Sequence, residues 1–195
     1  ELFGELERNQ VNDVLNNGVL MRYGFDGMRN GHWKAKEFEA LVQAKLNVNH
    51  AQALSSGTAA VTVALAVCGV GAGDEVIMPT FTFVASFVAV IALGAIPVLV
   101  DIDDTLTLDP KAVQAAITSK TKAVMPVHMC GSMANLDALQ NICKEHQLKL
   151  VEDACQAIGG IYKGKYLGSI GDAGTFSFDF VKTFTCGEGG VVITN

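Results

Sequence analysis

The chain has 195 residues, 50% of them hydrophobic and 17% charged, with Gly 20 and Pro 4. That length allows one domain, or one and part of another, and the composition excludes a disordered chain, a collagen-like repeat and Pro-rich low complexity. A formal net charge of −6, from 14 basic and 20 acidic residues, argues against a nucleic-acid duplex as partner, although backbone amides can still bind phosphate without a basic patch.

In chain order, the apolar spacing predicts a helix over 5–17, then an irregular stretch from Gly18 to Lys34 with four Gly, three aromatics and two Arg. A loop that long is often functional. A helix over 36–46 follows. Short β-rich runs then alternate with helical stretches: strand Ala51–Leu54, helix 57–69, strand Glu75–Met78, helix 83–93, strand Pro97–Val100, helix 110–118, strand Ala123–Val127, helix 135–146 and strand Leu148–Glu152. The last two strands, Thr175–Phe178 and Val191–Thr194, follow Gly-rich loops instead of helices, so one of them is free to run antiparallel. Several strands are unbroken apolar runs, as in a sheet covered on both faces. The alternation predicts an α/β fold with right-handed crossovers, whose ligands bind at the carboxyl ends of the strands.

Other features are bland. Cysteines at 68, 130, 143, 155 and 186 show no C-x-x-C spacing, which predicts reduced thiols, a cytoplasmic location and no metal site. The apolar run Val84–Val100 is interrupted by Ser86, Gly94 and Pro97 and reads as a buried helix and strand, not a membrane span. The chain opens on Glu1 instead of Met and closes on a strand-like Gly190–Asn195; a blunt complete chain and a piece of a longer one are both open readings.

Four strand ends carry candidate chemistry. Ser56-Gly57-Thr58 opens a helix after the first sheet strand and offers free amides to a phosphate, or ordinary capping. Phe81 and Phe83 follow the second, available to stack on a planar ligand or to pack in the core. Glu152 and Asp153 end the fifth; a buried carboxylate needs a donor or cation, and helix capping by Asp153 is the alternative. Lys182 lies in an apolar, aromatic stretch before Gly187-Glu188-Gly189-Gly190, either a surface lysine or one tuned for Schiff-base chemistry. A phosphate cradle, a stacking ring, a carboxylate and a lysine together match pyridoxal 5'-phosphate.

With these motifs, Ser56-Gly57-Thr58-Ala59-Ala60, Gly73 to Ile77, Pro79 to Val84, Glu152 to Gln156 and Ser177 to Gly190, the sequence resembles the DegT/DnrJ/EryC1/StrS family of sugar aminotransferases. The resemblance implies a three-layer α/β sandwich with a mostly parallel seven-stranded sheet, the large domain of the aspartate aminotransferase fold (fold type I). It implies phosphate contacts at Gly57, Thr58 and Ser177, an aromatic stack at Phe83, a carboxylate at Asp153 facing the pyridine nitrogen, and Gln156 beside the ring. Lys182 becomes the residue that holds the cofactor and shuttles a proton. The implied partners are an amino donor, usually glutamate, a sugar acceptor, and a second copy in a homodimer with shared active sites. The family's chains are longer, so residues 1–195 are expected to be an N-terminal segment and the cofactor-binding large domain, without the C-terminal small domain.

There are departures. Asp179-Phe180 stands where many members have a His, and Thr183 where many have Asn after the lysine. Three segments, Arg22 to Asp26, His128 to Ala134 and Phe178 to Lys182, are similar to transaminases that make 8-amino-3,8-dideoxy-manno-octulosonate (Kdo8N), an amino form of the lipopolysaccharide inner-core sugar. His128, at the ligand edge of the sheet, is a candidate substrate contact or a packed histidine. Arg22 and Arg29 are candidates for a substrate carboxylate, against the alternative of solvated loop arginines.

Overall fold

A computed structural model describes residues 3–195. Helices α1 (Glu5–Asn17) and α2 (Lys34–Leu46) come first. The elements then follow as β1 (His50–Leu54), α3 (Gly57–Val67), β2 (Glu75–Pro79), α4 (Val84–Ala92), β3 (Ile96–Val100), α5 (Pro110–Ala116), β4 (Thr121–Val124), α6 (Leu136–His146) and β5 (Lys149–Asp153). A small hairpin, β6 (Ile161–Tyr162) and β7 (Lys165–Tyr166), precedes β8 (Ala173–Ser177) and β9 (Gly190–Thr194).

The sheet has seven strands in the order β1-β9-β8-β5-β4-β2-β3. All run parallel except β9, which is antiparallel to both β1 and β8. The chain has no helix between β8 and β9, so only a reversal returns it to the neighbouring position. Successive strand residues point to opposite faces. Val76, Met78, Val151 and Val192 pack with α3 and α4, whereas Ile77, Leu150, Val191 and Ile193 pack with α2, α5 and α6. Both faces are covered, which gives the three layers expected.

Beyond shifts of one or two residues at element ends, the elements differ from expectation in two places. Strand β4 starts at Thr121 and ends at Val124, because Pro126 has no amide for the ladder; pairing resumes only as an isolated Val127–Asp153 bridge. The β6–β7 hairpin went unpredicted. Its turn residues Lys163 and Gly164 have φ of 48° and 83°, the left-handed pair that a tight two-residue hairpin needs. Helix α1 buries no residue and is tied to α2 by Lys34, which reaches Asp13 at 2.8 Å and Gln10 at 2.6 Å.

Glu152 secures the carboxyl end of β5. Its side chain is wholly buried, yet each oxygen is satisfied twice. Oε1 accepts from the amides of Ile170 (2.7 Å) and Gly171 (2.7 Å), and Oε2 from the Gly168 amide (2.9 Å) and His128 Nε2 (3.1 Å). The Ala134 amide donates to His128 Nδ1, so the imidazole carries its proton on Nε2. In Glu152→Gln an amide NH2 would confront these donors. We expect a loss of about 3 kcal/mol, the scale of a broken buried pair, read as a lower urea midpoint of the full-length protein with an unchanged transition slope.

Candidate active site

The site is assembled where the parallel strands end. At the start of α3, Ser56 caps the helix: its Oγ accepts from the Ala59 amide at 3.1 Å and its carbonyl from the Ala60 amide at 3.0 Å. The amides of Gly57 and Thr58, first in the helix, have no intrahelical acceptor and sit at its positive end. Gly57 must be glycine, because a Cβ there would lie 2.6 Å from Ser177 Cβ and 2.9 Å from its Oγ. Gly190 lets β9 pass against the same turn, since a Cβ there would strike the Ser56 carbonyl. The Ser177 hydroxyl is therefore held beside the open amides.

Asp153 is buried, 5% exposed. Its Oδ2 accepts from Ser86 Oγ at 2.7 Å and its Oδ1 from the Cys155 amide at 3.1 Å. Burial, followed by the neighbouring Asp153 charge, pushes the Cys155 thiol well above its ordinary range, so Cys155 is a neutral wall and not a nucleophile. Phe81 and Phe83 do not pack in the core: they are 42% and 59% exposed. The Lys182 ammonium lies 5.9 Å from the Phe83 ring centroid.

One cleft gathers Gly57, Thr58, Phe83, Asp153, Gln156, Ser177 and Lys182. Thr82, Ser86, Cys155, Asp179 and Glu188 line it as well, none of which was singled out from sequence as a site residue. Ser86 did leave a signal, as a polar break in the apolar run of α4. A second recess adjoins the cleft, sharing Phe83, Gln156, Asp179 and Lys182 and adding Cys130 and Thr183. Gln156 shapes this edge, because its Oε1 accepts from the Cys130 amide at 3.1 Å.

Three residues expected near a substrate are placed elsewhere. His128 is fully buried, with its ring turned to Glu152 on the opposite face of the sheet from α3 and α4. Arg22 pairs with Glu39 at 2.6 Å. Arg29 is 6% exposed, donates to the carbonyls of Gly24 and Met21, and lies 4.3 Å over the Trp33 ring. The two arginines order the irregular Gly18–Lys34 stretch and line a separate groove beside it.

A family model described as the DegT/DnrJ/EryC1/StrS aminotransferase family matches residues 3–195, and the chain belongs to that family. It is 52% identical over 149 residues, 76% of its length, to an L-glutamine:2-deoxy-scyllo-inosose aminotransferase of Streptoalloteichus tenebrarius, covering 35% of that protein. It is 40% identical over 190 residues, 97% of its length, to the GDP-perosamine synthase of Vibrio cholerae, covering 50% of it. Among solved structures, NtdA of Bacillus subtilis with bound cofactor PMP superposes with a TM-score of 0.81 at 35% identity, over 99% of this chain and 43% of that one. The chain thus spans half the length of these relatives or less.

The loop anchor is sensitive to acid. Burial raises the Glu39 pKa, but the Arg22 hydrogen bond and the Ala53 amide outweigh it, and the net shift is below the ordinary 4.5. A group depressed in the folded state contributes stability above its unfolded value and loses it as pH falls through the folded one. Trp33, the single tryptophan, should therefore change its emission in an acid step below pH 4.5. Glu39→Gln should show the altered emission already at pH 7.

Proposed function

We propose that this chain forms the cofactor-binding part of a pyridoxal-phosphate-dependent sugar aminotransferase. The observation that carries the reading is the convergence of the open α3 amides, Ser177, Asp153 and Lys182 on one cleft from three separate strand ends, those of β1, β5 and β8. The donor set fits the cofactor. Two free amides and a hydroxyl suit a phosphate, a buried carboxylate suits a protonated ring nitrogen, an exposed aromatic face suits a planar ring, and a lysine amine suits an aldehyde.

Each residue then has a task. Gly57, Thr58 and Ser177 hold the phosphate. Phe83 and Gln156 orient the ring, and Asp153 keeps a proton on its nitrogen. Bound there, the cofactor supplies an electron sink for charge developing at the substrate carbon. Lys182 attaches the cofactor and, once released, its Nζ takes and returns the substrate proton. The neutral Cys155 wall adds no competing nucleophile.

The acceptor is a keto or aldehydo sugar entering by the recess beside Lys182. Our narrower reading is 8-oxo-3,8-dideoxy-manno-octulosonate, supported by the Phe178–Lys182 segment that lines the cleft. A nucleotide-linked 3-keto or 4-keto sugar is the second reading, favoured by the similarity to GDP-perosamine synthase. The donor is glutamate by family resemblance, or glutamine as in the name of the inosose relative. We further propose a homodimer, because Phe180 and Phe184, on either side of Lys182 in the chain, stand more than half exposed where a partner would cover them, and a cytoplasmic location, from the reduced thiols expected of the cysteines.

Reconstituted full-length protein should show a visible cofactor band that Lys182→Ala removes. Activity in that variant should fall by at least about 10²-fold, the lower end of what a positioned acid–base group contributes. A folded protein with no band refutes the reading. A band that neither donor can discharge points instead to a non-catalytic cofactor-binding regulator. A panel of acceptors that includes the 8-oxo octulosonate and nucleotide-linked keto sugars separates the two substrate readings.

A further inference from the structure

We infer that Ser86, supplied by Thr82, is the positioning residue that holds and orients the Asp153 carboxylate. This rests on the reading of Asp153 as the ring-nitrogen partner. Ser86 is 2% exposed, and its Oγ lies 2.7 Å from Asp153 Oδ2 and 2.9 Å from Thr82 Oγ1. A carboxylate only accepts, so the single Ser86 hydroxyl proton points to Asp153. Ser86 then offers Thr82 nothing but lone pairs, and Thr82 must donate. Among the described residues, the alternative acceptor for Thr82 Oγ1 is the Phe83 carbonyl at 3.4 Å, a much poorer contact. The direction of the chain is therefore fixed: Thr82 to Ser86 to Asp153.

Two further features act with it. Ser86 is the third residue of α4, whose N-cap is Phe83, so the Asp153 carboxylate meets the positive end of that helix. The Cys155 amide occupies Oδ1. With one donor fixed on each oxygen, the carboxylate cannot rotate, and its remaining lone pairs are the ones available to the cleft. Donation to a carboxylate also stabilises its charged form and weakens it as a base. The proton shared with a ring nitrogen is thereby kept on the ring, where it draws electrons from the reacting carbon.

The groups around Asp153 are few. Lys182, Asp179 and Glu188 share the cleft, and the neutral Cys155 follows on its own strand end. Glu152 and His128 belong to the other face of the sheet. Among the described residues, Ser86 Oγ and the Cys155 amide make the close hydrogen bonds to the carboxylate, the protonated Cys155 thiol lies beside it, and of the two close donors only Ser86 can be altered by substitution.

The test uses full-length protein loaded with pyridoxal phosphate labelled with 15N in its ring. In Ser86→Ala the ring-nitrogen resonance should move toward that of the neutral ring, because the carboxylate, freed of one donor, draws the shared proton toward itself. One hydrogen bond to a charged group is worth about tenfold, so kcat should drop by about that factor with KM for the donor nearly unchanged. Ser86→Thr should restore both readouts. Thr82→Val should move the resonance in the same direction by a smaller amount. An unshifted resonance in a folded Ser86→Ala overturns the inference, as does Ser86→Thr behaving like Ser86→Ala. The underlying reading fails separately: if Asp153→Asn leaves the resonance and kcat of the parent protein unchanged, Asp153 is not the ring partner.

Discussion

The structure turns on one pair of adjacent carboxylates. Strand geometry sends Glu152 and Asp153 to opposite faces of β5, and the two faces treat them differently. Glu152 is saturated by four donors within the fold, and none of its capacity is left for a ligand. Asp153 receives only two and keeps the rest for the cleft. The clamp on Glu152 draws the Gly168–Gly171 turn and the His128 loop against the end of β5. Backbone bonds from His128 to the Asp153 carbonyl and from Asp153 to the Pro126 carbonyl, 3.0 and 2.9 Å, lock the same residue from the β4 side. A fully satisfied buried network rigidifies what it touches, and here that is the backbone of the residue that faces the cleft.

The cleft is acidic before any ligand enters, with Asp153, Asp179 and Glu188 against Lys182. An anionic phosphate can still bind because the charges are separated along it. The end proposed for the phosphate is built from amides, a hydroxyl and a helix dipole, with no carboxylate among them. This explains how a chain of net charge −6 reads as a phosphate binder. The glycines at 57 and 190 matter for the same reason, since they admit Ser177 and β9 close enough to bring the hydroxyl alongside the amides.

Much of this was legible in the sequence, for stated reasons. Unbroken apolar runs marked a sheet covered on both faces, and helix-free spacing after Glu152 marked the reversed strand. The meeting of Gly57, Asp153 and Lys182 in one cleft was legible because each follows a strand of one sheet. The β6–β7 hairpin was not, because strands two residues long carry no periodicity. Nor was the fate of His128. Its place at a strand end suited a substrate contact, but the side-chain direction there depends on the local bridge at Val127, which no repeat encodes. Arg22 and Arg29 were ambiguous because both lie in a segment without regular structure, so no periodicity points them to their acceptors, Glu39 of α2 and two loop carbonyls.

That outcome redistributes the evidence for substrate choice. Of the three segments behind the octulosonate resemblance, Arg22 is engaged by Glu39 and His128 by Glu152. Likeness there is explained by folding alone, since the same contacts would be needed whatever the acceptor. The Phe178–Lys182 segment is different: Asp179 and Lys182 line both the cleft and its adjoining recess. Cys130 stands across that recess, its amide held by Gln156 and its backbone at a φ of 53°, a conformation costly for a non-glycine residue. An anionic residue at 179 sets the charge that any ligand meets beside the lysine, and on the proposed reading that charge bears on which sugar the site would take.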